Sequence, residues 1–408
     1  MQLSRRTGYA LAATIVGLGL FASVTPSPIY HLYADRWHFG SITLTLVYAT
    51  YAFGVLATLL LAGRASDEVG RRPVLLVALG ALAVSSMVFM VADSTTWLFV
   101  ARAIQGLATG AAISAASATL LDLHPRRDPV AVSLANGAAS AAGIALGVLI
   151  SSSLVQLGDA PRVLPYVVLF SLFAITFVGV LLMPEPIRKR HAFRPTLEKP
   201  FVPSSARRPF LLASLAVLSS WSIGGVFFSL GPELGAQLFG TTNVVVAGSG
   251  IVALAGSAAI AQVVFGRAPA WVGASAGSVA LATGTMIIVA STAAGSSAAY
   301  LAGSILAGIG FGIAFLGGLR TLVAAIPPQH RAAVLSAFYV VAYASLSVPA
   351  VLAGIVVTRL SLDTTFEIFG TAAAAVAVVV AVEAWRTRPK AQQPVIQLRN
   401  TGAERVAA

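Results

Sequence analysis

Cysteine is absent from this chain of 408 residues. Its absence excludes disulfide bonds, thiolate metal sites, iron–sulfur clusters and cysteine nucleophiles. Lysine is nearly absent, and none of Lys189, Lys199 and Lys390 follows a glycine, as the lysine of a phosphate-binding loop would. The sequence also contains no His-Glu-x-x-His zinc motif. We therefore expect no direct use of ATP, no cofactor and no bound metal.

Charged residues are scarce as well. Only 10% of the residues are charged, against about 25% in a typical soluble domain. Hydrophobic residues make up 57% of the chain, the mean hydropathy is +0.88, and the apolar residues come in long blocks. Because a helix needs about 20 apolar residues to cross a bilayer, these blocks predict an all-α integral membrane protein.

Twelve of the apolar blocks are long enough to be transmembrane helices. They cover residues 8–30, 41–63, 73–92, 96–121, 130–156, 164–183, 209–231, 243–266, 270–291, 297–323, 331–358 and 365–386. Among the basic residues, Arg36, Arg162 and Arg359 fall in predicted outer loops and Arg102 falls inside a span; the others fall in predicted cytoplasmic segments or at the cytoplasmic ends of spans. This positive-inside bias places both termini in the cytoplasm. A formal charge of +12 could otherwise suggest a nucleic-acid partner. Because the basic residues sort by membrane side, topology explains the charge and we expect no nucleic-acid partner.

A basic, proline-containing segment divides the twelve spans into two groups of six. The groups repeat each other, since Gly63-Arg64-Ala65 after the second span recurs as Gly266-Arg267-Ala268 after the eighth. The predicted units are a bundle over residues 1–183, a cytoplasmic linker over 184–208, a second bundle over 209–388 and a cytoplasmic tail over 389–408. The linker is expected to lie near anionic lipid headgroups, and the polar tail is expected to be disordered.

A charged island, Gly63 to Pro73, interrupts the apolar sequence between the second and third spans. It carries Gly63, Asp67, Gly70, Arg71 and Arg72 in the spacing of the Gly-x-x-x-Asp-x-x-Gly-Arg-Arg/Lys signature, and so resembles motif A of the major facilitator superfamily. The run from Arg102 through Gly106 to Gly110 resembles motif B of that superfamily. The resemblance implies a major facilitator fold, in which two pseudo-symmetric six-helix bundles work as a monomer by alternating access.

The resemblance also gives the island a role in gating. It implies that Asp67 meets the cytoplasmic start of the eleventh span, near Pro328 to Arg331, where a helix N-terminus favours an anion. It further implies that Arg71 or Arg72 pairs with Asp122 at the inner end of the fourth span. These contacts would hold the halves together on the cytoplasmic side in the outward-open state and break in the inward-open state.

Candidate proton-coupling residues are few because carboxylates are scarce within the spans. Arg102 lies inside the fourth span, where an unpartnered charge is costly, and motif B is associated with proton coupling; the alternative is a side chain that extends to the outer interface. Asp35 and Glu233 lie at outer ends of spans. His31 shares a helical face with Asp35, where it either titrates or has no role. No acid stands at Thr25 to Pro28, where many proton-coupled exporters carry one.

Polar and aromatic side chains at mid-depth are candidates for the wall of a central cavity. They are Tyr48, Tyr51, Asn136, Trp221, Tyr339 and Tyr343. Each aromatic ring could equally fill space between helices. If the rings do line a cavity, they favour amphipathic, weakly polar or cationic substrates. The fifth span carries only part of exporter motif C, because Gly137, Gly143 and Gly147 are present but no proline follows a glycine.

We interpret the sequence as a secondary transporter, not an enzyme, that exports a small organic molecule in exchange for protons. The alternative is a proton-coupled importer of a small metabolite. A polytopic enzyme or receptor would need a polar catalytic cluster or an added domain, and the sequence has neither. The preference for arginine over lysine and the richness in alanine and glycine indicate a bacterial inner (plasma) membrane, with the small-molecule substrate, protons and membrane lipids as expected partners.

The substitution Asp67→Asn tests the gating role of the island. It removes the charge and keeps the shape, so we expect transport to fall while expression stays intact. The measurement is substrate flux in vesicles, normalised to the quantity of transporter. Flux equal to that of the wild-type protein would show that the contacts of Asp67 do not gate transport.

Overall fold

The computed structural model describes residues 3–187 and 201–388 of the chain. Within these ranges the chain forms fifteen α-helices joined by short turns. In order they are α1 (Arg5–Val24), α2 (Tyr30–Trp37), α3 (Ser41–Ala62), α4 (Ala65–Glu68), α5 (Arg71–Val91), α6 (Thr95–Leu123), α7 (Pro129–Leu157), α8 (Leu164–Leu181), α9 (Arg207–Phe239), α10 (Val244–Ala247), α11 (Ser249–Phe265), α12 (Ala270–Ala294), α13 (Ser297–Ala325), α14 (Arg331–Val356) and α15 (Leu362–Arg386). Most of the predicted linker and the predicted tail lie outside the described residues.

These helices form twelve apolar segments. Eleven segments are long and apolar enough to cross a membrane. The twelfth is α11, an apolar helix of 17 residues. The single turn of α10 lies directly before it in the chain. The first segment contains both α1 and α2, which a 3-10 turn at Ser27–Ile29 joins. Within the described residues, the prediction of a twelve-helix membrane protein is therefore confirmed.

Proline divides the first segment into two helices. α1 ends at Val24, and Pro26 and Pro28 stand in the turn before α2. Because proline has no N–H to donate, the α-helical hydrogen bonding stops there and resumes at Tyr30. His31 and Asp35 consequently lie on one face of α2, as their spacing predicts.

Proline does not end α9, although the sequence predicts that the seventh span stops at residue 231. The helix continues through Pro232 to Phe239. Pro232 leaves the carbonyl of Phe228, four residues earlier, without its usual helical donor. Ser27 Oγ, from the other half of the chain, donates to this oxygen at 2.8 Å. The hydrogen bond satisfies the carbonyl that the proline leaves free, and Glu233 therefore lies within a helix and not at a helix end.

The twelve segments pack as two groups of six with matching neighbours. In the first half α6 contacts α1, α3 and α5, and in the second half α13 makes the corresponding contacts with α9, α11 and α12. One apolar core is built only from residues of the first half, and two smaller cores are built only from the second. The halves meet mainly where α7 packs on α11 and α3 packs on α14. The space between the halves is lined by these four helices together with α1, α2, α6, α9, α10 and α13.

Glycine determines how closely helices approach within each half. Gly106 of α6 lies against α3, and a methyl group on it would overlap the carbonyl oxygen of Tyr51. Gly308 of α13 lies in the same way against the carbonyl oxygen of Leu254 in α11. Small residues permit such close contacts between membrane helices. The similar arrangement in the two halves is the structural counterpart of the sequence repeat.

Gly106→Ala should destabilise the first half, because the added methyl group has no space beside α3. We expect a loss of about 1–3 kcal/mol, the usual cost of overpacking a core, and a lower melting temperature of the purified protein in detergent. Gly80→Ala in α5 is the matched control, since the nearest atom to its added carbon would be 4.0 Å away in Phe177. Equal melting temperatures for the two variants would contradict this account of the packing.

Candidate functional site

The charged island lies at one end of the bundle, which we call the island side. α3 ends at Ala62, the single turn of α4 follows, and α5 begins at Arg71. Gly70 has φ = 113°, a backbone conformation that favours glycine. The second glycine of the motif is therefore needed where the chain enters α5, and it directs Arg71 back toward α4.

Arg71 is the centre of the polar contacts in the island. Its Nη1 donates to Ser66 Oγ at 2.7 Å and lies 2.6 Å from Asp67 Oδ1, and its Nε donates to Asp122 Oδ2 at 2.9 Å. Arg71 is buried, so these charge-assisted hydrogen bonds are shielded from water. Asp122 thus contacts a motif arginine, as the resemblance implies, and the arginine is Arg71 and not Arg72.

Asp67 does not occupy the position that the resemblance implies. We expected its carboxylate at the start of α14, near Arg331. In the structure it instead pairs with Arg71, four residues along the chain, and 57% of its side chain is exposed. The non-helical backbone at Gly70, between α4 and α5, brings the Arg71 side chain back to Asp67 and accounts for the local pairing. The two ion pairs of Arg71, with Asp67 and Asp122, lie within the first half.

Glu185 is a functional candidate that the sequence analysis missed. Its two carboxylate oxygens accept from the backbone nitrogens of Arg71 at 3.1 Å and Arg72 at 3.0 Å, at the first turn of α5. Gly70 precedes this turn and has no side chain to cap it, so another residue must supply the acceptor. A carboxylate also suits the positive end of the helix. Glu185 therefore ties the end of the first half to the island.

Arg102 is fully buried in α6. Its Nε and Nη2 donate to the Tyr30 hydroxyl at 2.9 and 2.6 Å, and its Nη1 donates to the Ser23 carbonyl at 2.8 Å and to Gln105 Oε1 at 2.7 Å. All of these acceptors are neutral. The alternative that Arg102 extends to the membrane interface is wrong, because the guanidinium has partners within the first half and no exposed surface.

Three tyrosine rings complete the surroundings of this guanidinium. The ring centroids of Tyr30, Tyr48 and Tyr51 lie 5.6, 5.9 and 5.4 Å from its central carbon. Aromatic faces attract a cation at such distances, more strongly where water is excluded. Tyr48 and Tyr51, which we expected in the wall of a central cavity, are buried beside Arg102 instead.

A cavity of about 490 Å³ opens between the halves at the end opposite the island. The structure brings His31 and Asp35 of α2 together here with Glu233 of α9. Tyr30, the hydrogen-bond acceptor for Arg102, also lines this cavity. Within the described residues, no group of three or more histidine and carboxylate side chains is placed to hold a metal ion. We call this space the titratable cavity.

A second cavity of about 220 Å³ lies between the halves and is lined by aromatic side chains. Four of the residues predicted for a central cavity line it, namely Asn136, Trp221, Tyr339 and Tyr343. The Trp221 ring lies 5.4 Å from Tyr343 and 5.5 Å from Phe315, centroid to centroid. None of the residues that line it is charged. We call this space the aromatic cavity.

One interhelical hydrogen bond stands between the two cavities. Ser27 lines the titratable cavity and Phe228 lines the aromatic cavity, and the 2.8 Å bond between Ser27 Oγ and the Phe228 carbonyl joins the two halves. The sequence analysis missed both residues, as well as Gln262 in the aromatic cavity. The signals were available in the proline that frees the Phe228 carbonyl and in the amide of Gln262 within the apolar sequence of α11.

A twelve-segment membrane protein whose repeated halves enclose cavities along their interface has the architecture of a secondary transporter. The chain belongs to the Major Facilitator Superfamily, whose family profile matches residues 9–348. The crystal structure of the human organic anion transporter MFSD10 (TETRAN) covers 94% of this chain and 100% of its own chain, with a TM-score of 0.66 and 16% sequence identity. At that identity the similarity shows a shared fold.

Curated relatives match shorter parts of the chain. The triacylglyceride transporter of Mycolicibacterium smegmatis is 36% identical over 114 residues, which are 28% of this chain and 20% of that protein. The class D tetracycline resistance protein of Salmonella ordonez is 32% identical over 183 residues, or 43% of this chain and 44% of that protein. The multidrug resistance protein MdtL of Klebsiella pneumoniae is 33% identical over 95 residues, or 23% and 24%. The matches span less than half the length of each relative.

Tyr30→Phe should destabilise the protein, because two donors of the buried Arg102 lose their acceptor. We expect a loss of about 1–3 kcal/mol, the usual cost of leaving buried polar groups unpaired, measured as a decrease in the unfolding free energy in detergent. Tyr48→Phe is the matched control: it keeps a ring face beside Arg102 and removes a hydroxyl that is not among the hydrogen-bond partners of the guanidinium. A loss of equal size in both variants would show that the Tyr30 hydroxyl has no special role.

Proposed function

We propose that this transporter exports small amphipathic organic molecules, weakly polar or cationic, in exchange for protons. The observation that carries the proposal is the separation of two chemistries along the interface between the halves. The aromatic cavity has no charged wall residue, whereas the titratable cavity has an imidazole and two carboxylates. An antiporter can use the first cavity for the substrate and the second for the proton.

The wall of the aromatic cavity favours substrates with an apolar body. The Trp221 ring lies 5.4 Å from Tyr343 and 5.5 Å from Phe315, and Asn136 adds an amide. Pockets of this kind bind chiefly through apolar and aromatic contact, and a few polar groups fix the orientation of the ligand. Because no cationic side chain lines the cavity, anions are disfavoured relative to neutral or cationic molecules.

The titratable cavity is suited to proton binding because its acids come from opposite halves. Asp35 belongs to the first half and Glu233 to the second. Two ionised carboxylates that face a shared cavity repel each other, and protonation of either one removes the repulsion. Binding of a proton would therefore change the free energy of bringing the halves together at this end, which alternating access requires.

Arg102 is proposed to couple this cavity to the first half. Tyr30 both lines the titratable cavity and accepts hydrogen bonds from Arg102. A buried cation stabilises a nearby ionised carboxylate and so affects the proton affinity of the cavity. Tyr30, His31 and Asp35 all belong to α2. A movement of α2 would therefore change both the hydrogen bonds between Arg102 and the Tyr30 hydroxyl and the positions of His31 and Asp35.

The gate of the proposed cycle is the bond between Ser27 and the Phe228 carbonyl. It joins the halves between the cavities, so it must break for a substrate to pass from one cavity to the other. On the island side, the buried contacts of Arg71 with Asp122 and Ser66 would move as one unit with the first half. Asp67 is proposed to reach the start of α14 in another conformation of the transport cycle.

The expected membrane context is a proposal as well. An even number of spans places the start of the first span and the end of the twelfth on one side of the membrane, and the basic residues of the island favour the cytoplasmic side. The three curated relatives named above are bacterial proteins, which supports the bacterial inner membrane. We further propose that residues 1–183 and 209–388 act as two rigid bundles, joined by the basic linker, and that one monomer suffices for transport.

Proton exchange can be tested in inside-out vesicles with an acidic lumen. Addition of a substrate from a panel of drugs, dyes, sugars and organic acids should raise the lumenal pH, because protons leave as the substrate enters. Glu233→Gln should abolish the response. Glu367→Gln is the matched control, because Glu367 is an exposed carboxylate in α15 that does not line the titratable cavity.

Three outcomes would contradict the proposal. Substrate accumulation without any change in lumenal pH would indicate another coupling ion. Substrate loss from the vesicles with the pH gradient would indicate an importer. An unchanged response in Glu233→Gln would remove that carboxylate from the proton pathway.

A further inference from the structure

Gln262 of α11 carries a buried hydrogen-bond acceptor that the fold does not use. The residue is only 6% exposed, and its Oε1 has no hydrogen-bond partner among the described residues. An amide oxygen buried in this way costs free energy unless a ligand or another group donates to it. Gln262 also lines the aromatic cavity, and rotation of its terminal amide would turn this oxygen toward a bound substrate that donates to it.

Because residue 137 is a glycine, Gln262 Oε1 can occupy the space that a side chain at that position would fill. Gly137 belongs to α7, in the other half, and also lines the aromatic cavity. A methyl group on Gly137 would overlap Gln262 Oε1. The oxygen therefore faces the backbone of α7 at a position without a side chain, at the junction of the two halves.

The neighbouring amide, Asn136, has a different arrangement. Ser117 Oγ donates to Asn136 Oδ1 at 2.7 Å, which satisfies the oxygen of that side chain. Its Nδ2 can only donate. Of the two amides in the cavity wall, Gln262 is thus the one that offers an unpaired acceptor, and the aromatic rings of Trp221, Tyr343 and Phe315 complete the wall.

We propose that Gln262 Oε1 is a specificity-determining acceptor for amphipathic ammonium ions that carry at least one N–H. The aromatic rings attract the cation and its apolar body, while Gln262 accepts the N–H hydrogen bond. A quaternary ammonium ion has the same charge and can contact the rings, but it leaves the buried oxygen unpaired. This inference rests on the proposal above that the aromatic cavity is the substrate site.

The test compares two ligands that differ by one methyl group: the benzyldimethylammonium ion, which has one N–H, and the benzyltrimethylammonium ion, which has none. Their dissociation constants are measured by equilibrium dialysis with the full-length protein in lipid nanodiscs at neutral pH. We expect the dimethyl ion to bind about tenfold more tightly, as the loss of one buried hydrogen bond implies.

Variants of Gln262 separate this effect from the different hydration of the two ions. Gln262→Met keeps the approximate shape and lacks the amide, so the tenfold preference should disappear, while binding of the trimethyl ion shows that the cavity is intact. Gln262→Glu supplies a stronger acceptor and should increase the preference. Gln237→Met is the control, because Gln237 bonds to Asp363 outside the cavity, and it should leave the preference unchanged.

A tenfold preference that persists in Gln262→Met would overturn the inference and leave the proposed transport function in place. Absence of binding of either ion to the wild-type protein would also overturn it, since ammonium ions would then not be the substrate class. The proton-exchange assay with other compounds decides the transport function separately, so the two failures are distinguishable.

Discussion

Hydrocarbon offers no hydrogen-bond partners, so a chain that crosses a membrane must satisfy its own polar groups. This constraint accounts for most of the described structure. It makes the chain helical, surrounds Arg102 with a tyrosine hydroxyl, a backbone carbonyl and a glutamine amide, and explains why Ser27 donates to the carbonyl that Pro232 leaves free. The unpaired oxygen of Gln262 is notable because it departs from the same constraint in a cavity that a ligand can enter.

The polar contacts divide into those within one half and those between the halves. The contacts of Arg71 with Ser66, Asp67 and Asp122 and those of Arg102 lie within the first half, and several of these groups are buried. The bond from Ser27 Oγ to the Phe228 carbonyl and the bond from the Val244 nitrogen to Gln156 Oε1 cross between the halves, and both join neutral groups. Strong local contacts and few polar cross-contacts suit a protein whose halves move as units, because each unit keeps its shape while the interface changes.

Residues of the candidate site were predictable to different degrees for physical reasons. His31 and Asp35 share a face because four residues make about one helical turn, and this holds wherever the helix packs. The environment of Tyr48 and Tyr51 was not predictable, since an aromatic residue in a span can face a cavity or a buried cation, and the choice depends on α6. Glu185 was missed because its partners are backbone nitrogens more than a hundred residues earlier.

The sequence by itself determined the twelve spans, the twofold repeat of six spans and the two motifs, because hydrophobic length, basic loops and glycine spacing act locally along the chain. Only the tertiary structure decided which side chains meet. It placed His31, Asp35 and Glu233 at one cavity, paired Asp122 with Arg71, and packed Gln262 against Gly137. These pairings depend on how helices from distant parts of the chain rotate and pack against one another. The residue pattern within a single helix does not predict which helix packs against it.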